Sequence, residues 1–197
     1  MIERHRPDEI AIEEDVSTRR GVERICRRAF EYAERWEKPR RLGRRPRVLM
    51  ADKSNVHRFG GELWHRTFFE LAKEYPSCDA SHLYVDALTM QMVREPGSLD
   101  VVVTNNMFGY IVTDLGAMLQ GGLGVAGSGN IHPGKTSVFE PIHGSAPPMA
   151  GKGIANPIGS ILTAGMLLSE LGLPEPAARI ERAVRSAIEA EETTGDL

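Results

Sequence analysis

The chain has 197 residues, enough to bury a hydrophobic core in one large domain or two smaller ones. Its hydrophobic content of 41% and charged content of 26% are those of an ordinary soluble globular protein, and a formal net charge of −3 gives no general attraction to nucleic acid or an anionic membrane. Cys26 and Cys78 are too few for a disulfide framework or a cysteine metal site, and no apolar stretch approaches the roughly 20 residues of a membrane span, so we expect a cytoplasmic protein with reduced thiols.

The first half of the chain alternates helical and strand patterns. An apolar stripe predicts a helix over 18–37, and the basic run 38–47, bounded by two prolines, predicts a solvated linker rather than a binding patch. A short apolar strand follows at 47–51, then an amphipathic helix at 62–74, an alternating strand at 81–86 and a short helix at 87–95. This order predicts an α/β fold with a parallel sheet.

Residues 101–119 are predicted to form a strand, a polar turn and a helix. The β-branched run at 101–104 suits a buried strand, and the apolar positions after it recur at helical spacing. Because residues four apart share a helix face, Asn106, Tyr110 and Asp114 should point together from the start of this helix. We expect the Tyr110 ring to be packed in the core, since a tyrosine in an apolar helix is more often core than ligand.

The composition changes after Leu119. Five glycines lie within 121–129 without forming a dinucleotide-binding or phosphate-loop motif. The loop 139–157 is rich in Gly, Pro and Ala, with Glu140, His143, Lys152 and Asn156 as its strongly polar side chains, which is typical of a ligand-clasping segment. Helices are predicted at 157–171, buried on most of its surface, and at 175–191.

Polar side chains follow three of the predicted strands, where open α/β sheets bind ligands. They are Lys53, Asp86 and the Asn106 to Asp114 face. Carboxylates with a lysine in one cleft suit a hard divalent cation, with the lysine carrying a proton. Taken singly, Lys53 is more often a surface residue, Asp114 a solvated or capping residue and His143 a structural hydrogen-bonding group, so the residues alone indicate an α/β domain with a candidate acidic metal site.

Four motifs in this sequence together resemble the isocitrate and isopropylmalate dehydrogenase family. They are DKSNV at 52–56, YVDA at 84–87, NMFG at 106–109 with Asp114, and EPIHGSAP at 140–147 followed by GKGIANP at 151–157. The resemblance runs from about Glu13 to Leu197. It implies a two-domain α/β fold of mixed sheet with helices on both faces, here incomplete, and metal-dependent oxidative decarboxylation of a 2-hydroxy acid that carries a 3-carboxylate, with hydride passing to a nicotinamide.

The resemblance also assigns roles in the substrate and metal site. Lys53 would be the catalytic lysine that deprotonates the substrate hydroxyl, and Asn55 would lie close to the nicotinamide. Asp86 and Asp114 would bind Mg²⁺ or Mn²⁺. Family active sites straddle a dimer interface, so Lys53 and Asp86 would serve the partner's site and Asp114 its own, which implies a homodimer.

A second group of residues is assigned to the cofactor by the same resemblance. Glu140, His143, Gly144 and Asn156 lie in the NAD-binding segment, where His143 and Asn156 would meet the adenine. NAD-type members carry an Asp just after Ser-Ala-Pro and NADP-type members a Lys-Tyr pair, whereas this chain has Pro148 and Met149, so NADP is not excluded.

The sequence departs from the family pattern in two ways. Tyr110 stands where the family has a metal-binding aspartate, and a neutral phenol is a poor ligand for Mg²⁺ or Mn²⁺. The family also has a longer N-terminal portion, which supplies half of the cofactor domain, the substrate-binding arginines and the catalytic tyrosine, and it continues beyond this C-terminus. We therefore expect a shortened member whose isolated chain does not turn over isocitrate, isopropylmalate or tartrate.

These departures leave three interpretations open. The chain is a shortened dehydrogenase, a non-catalytic regulatory or binding subunit, or a fragment of a split dehydrogenase whose other half comes from a second chain. We predict that residues 1–119 form the inner, dimer-forming domain with the substrate and metal residues, and that residues 120–197 form part of the cofactor domain. Partners are then a small hydroxy acid and a second copy or a complementing chain, without nucleic acid or membrane.

Overall fold

The computed structural model describes residues 4–36, 39 and 42–197, in two compact units, Met1–Tyr110 and Ile111–Leu197. The first unit contains α1 (Arg19–Arg35), β1 (Arg47–Asp52), α2 (Arg58–Ala72), β2 (Asp79–Tyr84), α3 (Val85–Arg94) and β3 (Val101–Thr104). The helix α4 (Asn106–Leu119) contains the division, and the second unit continues with β4 (Gly129–Asn130), β5 (Val138–Phe139), α5 (Ile158–Glu170) and α6 (Pro174–Glu189). The domain boundary predicted from the sequence, between residues 119 and 120, lies at the end of this helix.

A three-stranded parallel sheet in the order β2-β1-β3 organises the first unit. The central strand β1 is buried along most of its length, since its apolar run can pack on both faces. Val48 and Met50 face a core cluster with α1 and α2, in which Phe30 stacks between Phe68 and Tyr75 at ring-centre distances of 5.2 and 5.0 Å. The neighbouring residues of β1 point to the opposite face, where α3 contacts β1 and β2.

Local sequence explains where α1 begins and which face it buries. The Thr18 hydroxyl accepts a hydrogen bond from the Gly21 N–H at 3.2 Å, a side-chain cap that satisfies one of the unpaired donors of the first turn. Val22, Cys26 and Phe30 then recur at four-residue spacing on the buried stripe. The helix therefore starts at a capping residue and is held by one apolar face, as the sequence pattern indicates.

The second unit combines a short antiparallel ladder with two packed helices. Strands β4 and β5 pair Gly129 with Phe139 and Asn130 with Val138, and α5 packs on α6. Gly159, in the first turn of α5, sits against the 124–126 backbone so closely that a Cβ would lie 3.1 Å from the Gly124 carbonyl oxygen. A larger residue there would force the loop away from the helix.

Some expectations differ from the structure. Asp86 is expected at the end of a strand, but β2 ends at Tyr84 and Asp86 lies in the first turn of α3, where a carboxylate is favoured by the helix dipole. Helix α5 is expected to be buried on most of its surface, yet Ile161 is 41% exposed and Met166 38% exposed, because few neighbours cover it. Glu37, Lys38, Arg40 and Arg41 lie outside the described residues, so the linker prediction applies to a segment only partly seen.

Within the described ranges, no helix is both long and apolar enough to cross a membrane.

Candidate functional site

Lys53 and Asp86 are brought together at the carboxyl end of the parallel sheet. Lys53 follows the last residue of β1, and its Nζ donates a hydrogen bond to Asp86 Oδ2 at 2.8 Å. The Lys53 side chain is 24% exposed, whereas that of Asp86 is 64% exposed. The hydrogen bond from the Lys53 ammonium is the largest influence that lowers the pKa of Asp86 below its ordinary value, with backbone donors adding to it. The pair therefore presents an ionised carboxylate with an adjacent amine to solvent.

A tight turn after β1 presents Lys53 and Asn55. The Lys53 carbonyl accepts hydrogen bonds from the N–H groups of Val56 and His57, both at 2.8 Å. The Ser54 N–H donates to Asp52 Oδ1 at 3.0 Å, which makes the start of the turn an Asx-type turn. Asn55 projects from this turn and is exposed. A small pocket borders the turn, lined by Lys53 and His57 together with Asn105 after β3.

Sequence reasoning missed the side chain that crosslinks β1 and β2 beside this turn. His82 Nε2 donates to Asp52 Oδ1 at 2.9 Å, and both side chains are largely buried. The signal for His82 is its two-residue spacing from Tyr84, which places both rings on one face of β2. Nothing in the sequence specifies the register that sets His82 near Asp52, so the pairing itself required the structure.

Tyr110 and Asp114 lie one helical turn apart on α4, as the spacing predicts. Tyr110 is 68% exposed, so the expectation that its ring is packed in the core is wrong for this chain. Helix α4 is apolar on most sides, and the core takes only part of it, notably Phe108, Val112 and Ala117. Asp114 belongs to the second unit and is exposed.

The predicted cofactor residues lie in the loop between β5 and α5. His143 donates from Nδ1 to the Gly144 carbonyl at 2.9 Å, and its Nε2 is buried without a hydrogen-bond partner in the described part of the chain. Glu140 and Gly144 are exposed. The His143 ring therefore offers one unused buried nitrogen that a ligand could satisfy.

Asn156 is already engaged by protein groups. Its Oδ1 accepts from the Ile158 N–H at 2.9 Å, which caps α5, and its Nδ2 donates to Asp196 Oδ2 at 3.1 Å. The hydrogen bonds from Thr194 and then Asn156 lower the pKa of the Asp196 carboxyl. A cofactor that used the Asn156 amide donor would have to displace or share the Asp196 carboxylate.

The predicted metal ligands have the right chemistry for a divalent cation, but there are only two of them. Asp86 and Asp114 supply carboxylate oxygens, which Mg²⁺ and Mn²⁺ prefer. However, among residues 4–36, 39 and 42–197 no group of three or more His, Cys, Asp or Glu side chains gathers as a metal site.

Comparison with known proteins places the whole chain in one group. The profile of the isocitrate/isopropylmalate dehydrogenase family matches residues 1–197. The 3-isopropylmalate dehydrogenase of Mycobacterium ulcerans is 47% identical over 179 residues, which cover 90% of this chain and 50% of that protein. The 3-isopropylmalate dehydrogenase of Thermobifida fusca is 44% identical over 193 residues, covering 97% and 52%.

Solved structures agree with the sequence matches. The isocitrate dehydrogenase of Methylococcus capsulatus superposes with a TM-score of 0.83 at 45% identity, covering 92% of this chain and 52% of that one. The TT0538 protein of Thermus thermophilus gives a TM-score of 0.83 at 39% identity, covering 93% and 36%. The chain thus spans about half the length of the curated relatives it matches.

Proposed function

Because the chain belongs to the isocitrate/isopropylmalate dehydrogenase family, we propose that it supplies the lysine, metal-ligand and adenine-binding part of a decarboxylating dehydrogenase. The reaction is the NAD-linked oxidation of a 2-hydroxy acid with a 3-carboxylate, of the isopropylmalate or isocitrate type. NADP is the alternative cofactor, and we place the reaction in the cytoplasm. The observation that carries the proposal is the contact of Lys53 Nζ with Asp86 Oδ2 at 2.8 Å, which joins the proposed proton acceptor to the proposed metal ligand.

The surroundings of Lys53 support its proposed role as a proton carrier. Its amine reaches solvent at the end of the sheet and is oriented by a carboxylate. As the substrate loses hydride from C2, Lys53 would accept the hydroxyl proton directly or through a water, so that the hydroxyl becomes a ketone. Loss of the ionised 3-carboxylate as carbon dioxide then leaves an enolate, which takes one proton at carbon to give the ketone product.

The metal and the dinucleotide have proposed holders in this chain. Asp114 would bind Mg²⁺ or Mn²⁺ in the site of its own subunit and Asp86 would bind it in the partner's site, where the metal would supply polarisation of the ketone oxygen. Asn55 would lie near the nicotinamide. His143 Nε2, buried and unpartnered within the described ranges, would accept a hydrogen bond from the adenine amino group, with Glu140, Gly144 and Asn156 around it.

A partner chain is part of this proposal. We propose a homodimer, or a hetero-oligomer in which another segment supplies the half of the relatives that this chain does not match. Apolar side chains that are exposed on α3 support this proposal, because a partner chain could cover them. Met90 is 67% exposed and Val93 is 64% exposed. Burial of such surface is the usual driving force for symmetric association.

A regulatory subunit is the second candidate function, and Tyr110 favours it. The side chain is exposed and places a phenol one turn before Asp114, so it cannot add a third carboxylate. A subunit of this kind would keep the fold and bind partners or ligands without turning over substrate.

Recombining the halves tests the two functions. The chain is expressed with the portion of the Mycobacterium ulcerans enzyme that it does not match, and NADH or NADPH formation is followed with isopropylmalate, isocitrate and tartrate in the presence of Mn²⁺. We expect turnover with the combined halves and none with either alone. A combination that assembles but never forms reduced cofactor, while altering the activity of a full-length relative, would favour the regulatory function instead.

A further inference from the structure

Asp52 and His82 form a buried hydrogen bond beside the Lys53–Asp86 pair. His82 Nε2 donates to Asp52 Oδ1 at 2.9 Å, and the two side chains are 17% and 8% exposed. Asp52 is the last residue of β1, and His82 lies two residues before the end of β2. The bond therefore joins the two strands at the edge from which both functional side chains emerge.

The backbone ladder does not by itself fix the separation of Lys53 and Asp86. The last registered pair of β1 and β2 is Asp52 with Tyr84, and both functional residues come after it. Beyond that pair, β1 enters a turn and β2 passes directly into α3. Side-chain contacts at the strand ends are what remain to hold the two segments in place.

The Asp52–His82 bond reaches Lys53 by two routes. Asp52 Oδ1 also accepts the Ser54 N–H at 3.0 Å, so the residues on both sides of Lys53 are tied together. On the other strand, the His82 ring packs edge-on against Tyr84 at a ring-centre distance of 5.2 Å. The Lys53 Nζ lies 5.6 Å from the centre of that same Tyr84 ring.

The two carboxylate oxygens of Asp52 differ, because Oδ1 has two hydrogen-bond donors and Oδ2 has none among the described residues. Its Oδ2 is buried without a hydrogen-bond partner among the described residues, although burial of an unpaired carboxylate oxygen is unfavourable. An unsatisfied buried polar atom in a native structure calls for an explanation, and a role in a functional site is one such explanation. We propose that Asp52 and His82 are positioning residues, whose mutual hydrogen bond holds the Lys53 amine against Asp86.

This inference rests on the proposed function for its meaning, but its test needs no turnover. The purified 197-residue chain is treated with an amine-acylating reagent at fixed pH, and the labelling rate of Lys53 is measured by mass spectrometry relative to exposed Lys73. A lysine nitrogen that is engaged by a hydrogen bond to a carboxylate, as Lys53 Nζ is by Asp86 Oδ2 at 2.8 Å, is less accessible to the reagent than a nitrogen that has lost that partner. Asp86→Asn, which releases Lys53 directly, sets the upper limit of the rate.

Two replacements of His82 separate its two contacts. His82→Phe keeps a ring to pack on Tyr84 but cannot donate to Asp52, whereas His82→Gln loses the ring and keeps an amide N–H of similar reach. We expect Lys53 labelling to rise about threefold in His82→Phe, as for loss of a partly exposed ion pair, and to stay near the wild-type rate in His82→Gln. Asp52→Ala removes the acceptor from the other strand together with the Ser54 bond, so Lys53 labelling should rise at least as much as in His82→Phe.

Melting curves show that each variant is labelled while folded, and labelling of exposed Lys73 corrects for differences in reagent between samples. A structural crosslink alone would lower the melting temperature in His82→Phe and Asp52→Ala without changing the Lys53 to Lys73 ratio, and that result would overturn the proposal. Equal ratios in His82→Phe and His82→Gln would overturn it as well. Because no catalysis is measured, failure here would leave the proposed function standing.

Discussion

Lys53 Nζ and Asp86 Oδ2 lie 2.8 Å apart, one at the end of β1 and the other in the first turn of α3. Both side chains are partly exposed to solvent, so the contact is a surface ion pair. Such a pair contributes little to the free energy of folding. Its chemical value is different, because it puts an amine and an ionised carboxylate at the edge where parallel sheets bind ligands.

Removing the Lys53 amine should raise the pKa of Asp86. The Lys53 hydrogen bond is the main cause of its lowered pKa, so in Lys53→Met the carboxyl should titrate nearer its ordinary value of about 3.9. Carbon NMR of the aspartate carboxyl groups measures this, with Lys73→Met as a control that leaves Asp86 unchanged. An Asp86 titration that is identical in wild type and Lys53→Met would show that the pair does not form in solution.

Asp100 should make stability depend on pH in a defined direction. It accepts hydrogen bonds from Arg44 at 2.5 and 2.8 Å and from the Arg47 N–H at 2.9 Å, and the Arg44 bond is the main cause of its lowered pKa. A carboxyl whose folded pKa lies below its unfolded value of about 3.9 stabilises the fold fully above that value and loses the effect as pH falls through the folded pKa.

Asp100→Asn should therefore lower the free energy of unfolding by about 2 kcal/mol at neutral pH, as expected for a charge-assisted hydrogen bond. The difference from wild type should shrink as the pH is lowered toward about 3. Urea unfolding at both pH values measures it, and Glu62→Gln, which removes an exposed i,i+4 pair with Arg66, is the control. A difference that grows on acidification would contradict a lowered Asp100 pKa in the folded chain.

The stacked aromatic core of the first unit should dominate its stability. Phe30 is fully buried between two rings, and Phe30→Ala should lower the free energy of unfolding by about 3–5 kcal/mol. Phe59 is 95% exposed, so the matched change Phe59→Ala should have an effect near zero. Chemical denaturation of both variants measures the difference. Equal decreases in the free energy of unfolding would show that Phe30 is not in the core.

Replacing Tyr110 should restore a metal ligand at little cost. Because the ring is 68% exposed, Tyr110→Asp should change the free energy of unfolding by less than about 1 kcal/mol. It adds a third carboxylate one turn from Asp114 and should tighten Mn²⁺ binding, whereas Tyr110→Asn, without the charge, should not. Calorimetric titration measures the affinity. Marked destabilisation of Tyr110→Asp without tighter binding would show that the tyrosine has a structural role in the assembled protein.

The sequence predicted those parts of the fold that depend on local pattern. The β-branched run at 101–104 predicted β3 with its observed bounds, Val101–Thr104. The apolar stripe predicted a helix over 18–37, which ends within two residues of the observed end of α1. Asp86 was misplaced because the strand alternation continues into the residues that start α3. Tyr110 was misjudged because an apolar helix pattern does not say how much of the helix the rest of the chain can cover.

In the candidate site, too, local sequence predicted some features, whereas others depend on contacts between segments that are distant in sequence. Lys53 and Asp86 could be predicted as neighbours, because both follow parallel strands that end at one edge. The Asp52–His82 bond could not, since it depends on the register between strands distant in sequence. The engagement of Asn156 by Asp196 likewise depends on where the C-terminal residues return.

Hydride transfer and decarboxylation measured together test the central claim most directly. The chain is combined with the unmatched portion of the Mycobacterium ulcerans enzyme, and reduced cofactor and carbon dioxide are quantified in the same reaction, with wild-type chain and with Lys53→Met. We predict equal amounts of the two products and a rate at least about 100-fold lower for Lys53→Met, since a positioned general base contributes that much or more. Equal rates for wild type and Lys53→Met in the assembled protein would contradict the account.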